Sequence, residues 1–223
     1  MTDTKRFRVP EMQGAVARWY ARQRGSGSQV EAYRTQAALL TAGVPPGADV
    51  LEVAPGPGYL AIEMARLGRV QVTGLDISPT FVRIAKENAR QATVSIDFRQ
   101  GDAAAMPFDP ASFDLIVCQA AFKNFTQPGS ALAEMHRVLR PGGTAVIEDM
   151  RRDVSITDID HEVRQMGLGR LNASMTKCVL ATVLRRRAYT PDRFARLAAD
   201  SAFHTCDIHP EGIGMQVRLN KQN

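Results

Sequence analysis

The chain has 223 residues, 44% hydrophobic and 23% charged, which suits one globular domain and is short for two. No window holds the ~18 apolar residues of a membrane-spanning helix, and the polar start, MTDTKRFRVPEMQG, leads into no apolar signal core, so a cytoplasmic protein is expected. The net charge of +5 lies in short clusters, Lys5-Arg6-Phe7-Arg8, Arg151-Arg152 and Arg185-Arg186-Arg187, read as solvated faces or helix ends before nucleic-acid contacts; Cys118, Cys178 and Cys206, odd in number and without CxxC spacing, suit reduced thiols and neither a disulfide framework nor a metal site.

Residues 28–42 (SQVEAYRTQAALLTA) carry helical spacing behind a Gly25-Ser26-Gly27-Ser28 stretch, and residues 1–45 are expected to form a helical cap able to close over a ligand. From 46 to 150, short apolar runs alternate with helical patterns. The runs 50–54, 70–75, 94–98, 113–118 and 144–148 read as strands, and 58–67, 78–91 and 128–139 as helices. Ser78-Pro79 starts the second of these helices, and Arg140-Pro141-Gly142-Gly143 stops the third. Such alternation predicts a doubly wound α/β core with a mostly parallel sheet covered on both faces.

Residues 151–190 are too helical for a loop: 155–167 and 172–186 have helical spacing, with Asn172 capping the second, and the segment reads as a helical lid. The tail, 191–223, supplies a helix at 190–200 behind Thr190-Pro191. Two strand-like runs follow, 203–209 and 213–219, joined at Pro210-Glu211-Gly212 as an antiparallel pair and completing seven strands.

Gly56-x-Gly58-x-x-Ala61, directly after the first strand, fits a ligand-binding bend at the carboxyl end of a parallel sheet. Glu52 stands just before it. A pyrophosphate gains nothing from that carboxylate, whereas a ligand bearing an ammonium group does. Asp76 closes the second strand, where a ribose diol can donate two hydrogen bonds to one carboxylate, and Asp102 follows the third, placed to accept from an adenine amino group with Met106-Pro107-Phe108 over the ring. Three strand-tip acids without a lysine in the bend describe a nucleoside with a positive appendage.

Five segments in this order, VLEVAPGPG, VTGLDIS, FRQGDAAAMPF, FDLIVCQAAF and ALAEMHRVLRPGGTAVIED, resemble the class I S-adenosylmethionine-dependent methyltransferases. Within them, the small-molecule group similar to ubiquinone/menaquinone-type enzymes is nearest. The resemblance spans roughly residues 30 to 150 and implies a Rossmann-like seven-stranded fold with S-adenosylmethionine as cofactor. It further implies Glu52, Ala54, Gly56 and Gly58 at the methionine end, Asp76 on the ribose and Ile77 against adenine. Asp102 and the backbone of Ala103 would meet the adenine edge, and Gln119 the methionine moiety. Pro55 stands where many members have glycine, and Gln119-Ala120-Ala121-Phe122 lacks the Asn/Asp-Pro-Pro-aromatic signature of base methylation, which favours a small-molecule acceptor.

A sulfonium methyl is already electrophilic, so such an enzyme must align an acceptor and exclude water, without a covalent nucleophile. Candidate bases are His161 in the lid and His204 or His209 in the tail; Lys123 and Asn124 are candidates to orient the substrate, and His136 receives no role. Trp19, Tyr20 and Tyr33 are candidate aromatic walls, with Tyr20 or Tyr33 on the cofactor carboxylate. Met166, Leu168, Met175 and Val179 with Arg151 and Arg152 suggest an apolar acceptor bearing an anionic group. An RNA methyltransferase, a nicotinamide-dependent oxidoreductase and a non-catalytic cofactor-binding protein are the alternatives.

Overall fold

A computed structural model describes residues 14–24, 27–165 and 169–222. Two cap helices, α1 (Gly14–Arg24) and α2 (Gly27–Thr41), precede the alternating core of β1 (Ala48–Val53), α3 (Tyr59–Arg66), β2 (Val70–Asp76), α4 (Pro79–Gln91) and β3 (Asp97–Gln100). Then come β4 (Phe113–Gln119), a 3₁₀ turn (Phe122–Asn124), α5 (Pro128–Val138) and β5 (Leu139–Met150). The segment after β5 carries α6 (Ile156–Gln165), α7 (Arg170–Val179), a π-helical turn (Leu180–Leu184) and α8 (Arg185–Arg187), the last three forming one continuous helical run. Helix α9 (Pro191–Ala199) and strands β6 (Asp207–Glu211) and β7 (Gly214–Asn220) end the fold.

The seven strands order as β3-β2-β1-β4-β5-β7-β6. Strands β1 to β5 are parallel, and β7 pairs antiparallel with both β5 and β6. Order reverses between β1 and β4, so a crevice opens above their carboxyl ends. Alternation along β1 sends Leu51 and Val53 into the core layer shared with α5 and α9, and Val50 into the layer under α2, α3 and α4. Glu52 follows Val50 onto that second face. A third, smaller cluster of Met150, Val154, Ile159, Val163 and Ala188 holds the 151–190 segment to the sheet edge.

Several boundaries differ from the sequence expectation for identifiable reasons. Strand β3 occupies 97–100 instead of 94–98, because Val94 N donates to Ala89 O at 3.1 Å behind Thr93 at φ 58, closing α4 with a left-handed cap. Val94 and Ile96 still pack against the core, but as side chains below a turn. Strand β5 begins at Leu139, and Arg140–Gly143 join it: the stretch stops α5 as expected yet continues as sheet, with Gly142 N bonded to Lys221 O. Asn172 lies inside α7, whose N-cap is Gly169. Strand β6 runs 207–211 instead of 203–209, so Pro210 and Glu211 belong to an edge strand, where a missing N–H is tolerated. Helix α1 was not anticipated as a separate element.

Candidate active site

Above the switch point lies a cavity of about 850 Å³, within the range of small-molecule sites. Its floor is made by strand tips that turn sharply. Ala54 (φ 58) follows β1 and Ala120 (φ 55) follows β4, both in the left-handed region that alanine rarely adopts. Ala54 N donates to Leu75 O and Ala120 N to Glu148 O, each at 2.7 Å, which holds the two bends open around the crevice.

The glycines of the bend serve different needs. Gly58 (φ 81) is the N-cap of α3, and a Cβ there would meet Phe98 Cζ at 2.8 Å and Ala85 Cβ at 3.0 Å. Gly56 (φ 55) has nothing within 4 Å of such a Cβ, so its missing side chain leaves room in the cavity that it lines. Gly56 N donates to Asp76 Oδ2 at 3.0 Å, and Ser78 N to Asp76 Oδ1 at 2.8 Å. Asp76 is thereby clamped between the glycine bend and the start of α4, at the cavity wall. Ile77, 44% exposed, lies beside it. Asp102 accepts from Ala104 N at 2.9 Å and lines the far end with Ala103.

Glu52 is 3% exposed and faces a smaller adjoining cavity that Tyr20, Tyr33, Tyr59 and Gln119 also line. Its Oε2 has no hydrogen-bond partner, a costly state for a buried oxygen. Burial pushes the carboxyl up to about 8; the Ala61 backbone opposes that rise and nearby Asp76 adds to it. A cation placed against Oε2 would satisfy the orphaned atom and restore the ionised form. With Asp76 and Asp102 lining the adjoining crevice, the donor set fits an adenosyl compound carrying an ammonium group.

Aromatic and amide groups complete the wall. Tyr20 of α1 lines both cavities and meets Phe81 edge-on at 6.0 Å; Tyr33 of α2 stacks on Tyr59 at 6.1 Å. Tyr59 Oη donates to Ala21 O at 3.0 Å, tying the cap to α3. Trp19 is 54% exposed and does not line the cavity. Gln119 Nε2 donates to Gln36 Oε1 at 2.5 Å, Gln36 Nε2 in turn to Glu148, and Gln216 Nε2 to Glu148 at 2.8 Å. Gln36 and Glu148 were not singled out in the sequence. Glu148 is marked there only as a polar residue in an apolar run, and Gln36 not at all among the other polar residues of α2.

Other expected positions lie elsewhere. Lys123 is 8% exposed: its Nζ donates to Asp149 Oδ1 at 2.6 Å and to Ala120 O at 2.5 Å, and its backbone N to Asp149 Oδ2 at 2.8 Å. It therefore braces the β4 tip instead of reaching a substrate, whereas Asn124 does line the cavity. His161 is exposed on α6 and bonds Gln165 at 2.8 Å. His204 is exposed near His136, whose imidazole is pushed down first by burial and then by Lys221 and His204, and His209 is exposed on β6. None of these histidines lines the cavity.

The described residues of the 151–190 segment contribute no lining residue either. Met175 and Val179 are exposed, Arg151 bonds Gly212 O and Asp153, and Met166 and Leu168 lie outside the described residues. Met106-Pro107-Phe108 do not cover the cavity; Phe108 packs edge-on against Phe113 at 5.0 Å, and Leu75, Ile77 and Phe81 take that place. Cys118 is fully buried, with its thiol pushed up chiefly by burial. Among the described residues no cluster of His, Cys, Asp or Glu could hold a metal ion.

Residues 51–147 match the family model described as a methyltransferase domain. A demethylmenaquinone methyltransferase of Deinococcus radiodurans is 42% identical over 99 residues, 44% of this chain and 41% of that protein. A ubiquinone biosynthesis O-methyltransferase of Xanthomonas campestris is 33% identical over 108 residues, 48% of this chain and 45% of that protein. The chain thus matches less than half the length of these curated relatives. A solved SAM-dependent methyltransferase from Aquifex aeolicus superimposes with a TM-score of 0.67 at 15% identity, covering 91% of this chain and 97% of that one, a likeness of fold. From β1 into β5 the chain matches the methyltransferase-domain family in sequence, and it shares the architecture of solved SAM-dependent methyltransferases.

Proposed function

We propose that this protein transfers the methyl group of S-adenosylmethionine to a small acceptor of quinone type. The observation that carries the reading is the buried Glu52 carboxylate with its unpartnered Oε2, in a small cavity adjoining the crevice that Asp76 and Asp102 line. Bound there, the cofactor supplies an electrophilic methyl group. The chain's own work is to hold it and to orient an acceptor in line with the transferable carbon. Beyond the strand tips the cavity continues along Ala121, Asn124, Phe125, Thr126, Gln127 and Ala131. Apolar walls with a few amide and hydroxyl groups suit a flat ring bearing oxygen substituents.

Among the described residues that line the cavity the only carboxylic acids are Asp76 and Asp102, both assigned to the cofactor, and there is no histidine. An acceptor that brings its own acidity, as a hydroquinone oxygen or an activated ring carbon does, suits such a lining, and the anionic character expected of it arises on the ring. Among the described residues the lining also holds no lysine or arginine, which speaks against a nucleic-acid backbone. A pyrophosphate-bearing nicotinamide cofactor would find a buried acid where it needs a cation. By their names one relative methylates demethylmenaquinone and the other is an O-methyltransferase of ubiquinone biosynthesis, which agrees with an acceptor of this class.

The test pairs binding with turnover. S-Adenosylhomocysteine is expected to raise the melting temperature, Asp76→Ala to abolish that rise, and methyl-labelled S-adenosylmethionine to label a demethylated quinone or catechol. A rise with NADH and none with S-adenosylhomocysteine would overturn the cofactor assignment. Binding without labelling of any quinone or catechol would overturn the acceptor class.

A further inference from the structure

We propose that the outward face of the helical run 170–187 docks on an anionic lipid surface. Helices at a protein surface ordinarily turn polar side chains to water, and this one also turns out an apolar stripe. Its inner face, Ala173, Leu180, Ala181 and Leu184, packs on the third core cluster. Its outer face carries Met175, Val179 and Val183 at four-residue spacing, 65%, 45% and 45% exposed, with Cys178 and Thr182 beside them. Thr182 Oγ1 donates to Cys178 O at 2.6 Å, so the one hydroxyl in the stripe is satisfied without water.

Charge selects the occupant. Residues 170–187 hold five cations (Arg170, Lys177, Arg185, Arg186 and Arg187) and no acid. Of the acids of neighbouring α6, Asp160 pairs with Lys177 at 2.7 Å and Asp158 binds Ser155. Lys177 is thereby neutralised, while Arg186 is exposed at the end of the apolar stripe. A second copy of the chain would set this cationic face against itself. An apolar stripe ending in arginines, on a helix that lies flat, is what an interface of acyl chains and anionic headgroups accommodates. No described helix is long and apolar enough to cross a membrane, so the contact lies on the surface. None of these residues lines the cofactor cavity, and the inference stands apart from the acceptor's identity.

The experiment is cosedimentation of the full chain with vesicles of phosphatidylcholine alone or mixed with phosphatidylglycerol. Binding is expected only to the mixed vesicles, weakening with salt. Val179→Asp and Val183→Asp, at exposed positions, should each reduce it at least tenfold, and Arg186→Ala about fivefold, the effect of one cation at an anionic surface. All three should keep wild-type helicity and the melting shift with S-adenosylhomocysteine, which verifies folding. The proposal is overturned if wild type stays in the supernatant or binds phosphatidylcholine equally. It is overturned too if both Asp variants bind undiminished, or if sedimentation without lipid reveals a dimer that Val179→Asp dissociates.

Discussion

Replacing Glu52 with glutamine should uncouple cofactor binding from pH. In the ligand-free protein burial raises this carboxyl from 4.5 to about 8, whereas an ammonium group against Oε2 requires the ionised form. Each binding event below pH 8 then releases up to one proton. The ionised fraction climbs from ~1% at pH 6 to ~50% at pH 8, so affinity for S-adenosylhomocysteine should rise about 50-fold, or ~2.3 kcal/mol, over that interval. Calorimetry at pH 6, 7 and 8 in two buffers of unequal ionisation enthalpy reads both the slope and the proton count. Glu52→Gln should flatten the profile, and 5′-methylthioadenosine, which lacks the ammonium, should bind wild type with no slope. A flat wild-type profile for S-adenosylhomocysteine, or a steep one retained by Glu52→Gln, refutes the assignment. Stability follows the same linkage with its sign fixed. Because the folded value lies above the unfolded one, the ligand-free protein holds an extra proton between about pH 4.5 and 8, and stability present at the acid end declines as pH rises through that window. Glu52→Gln should remove this decline.

The two glycines of the bend should separate by assay. Gly58→Ala, with its Cβ 2.8 Å from Phe98 and a positive φ, should cost about 2–4 kcal/mol in denaturant unfolding. Gly56→Ala meets no neighbour and should cost only about 1–2 kcal/mol while weakening S-adenosylhomocysteine in calorimetry, because its new methyl enters the cavity. Lys123→Met leaves Asp149 buried without its cation and should destabilise the fold by about 3–5 kcal/mol in the same unfolding assay.

The placement of residues in the candidate cofactor half of the site was legible in the sequence because strand ends and glycine bends carry their own marks. Glu52 and Asp76 stand in the last two residues of β1 and β2 and Asp102 just beyond β3, and glycine stands where a Cβ would strike Phe98 or fill the cavity. Turn chemistry was less legible. Val94 and Ile96 have the alternation of a strand, but the amide of Val94 is consumed by the cap of α4, a choice settled by Thr93 adopting a positive φ that nothing in its side chain announces. Arg140–Gly143 look like a terminator and serve as one for α5, yet pairing with the tail keeps them in the sheet. Gln36 escaped notice because one more polar residue in a mixed helix looks solvated; only the tertiary approach of α2 to the tips of β4 and β5 gives it partners in Gln119 and Glu148.

The difference between the two halves has a chemical origin, and Lys123 displays it. A reactive methyl group asks the protein for position more than for a nucleophile or a base. Residues shaping the acceptor side therefore act through the backbone they hold, and their identities follow local packing instead of a reaction. Ala120 sits at φ 55 with its carbonyl bonded by Lys123 Nζ, and Lys123 is fixed in turn by Asp149 at the end of β5. That chain of contacts sets where the 120–127 loop enters the cavity, and with it the depth of the space left for an acceptor. In the sequence Lys123 resembles a loop cation free to reach a substrate. Buried and paired, it stabilises a strained alanine that lines the cavity, where the proposed transfer would need its position fixed.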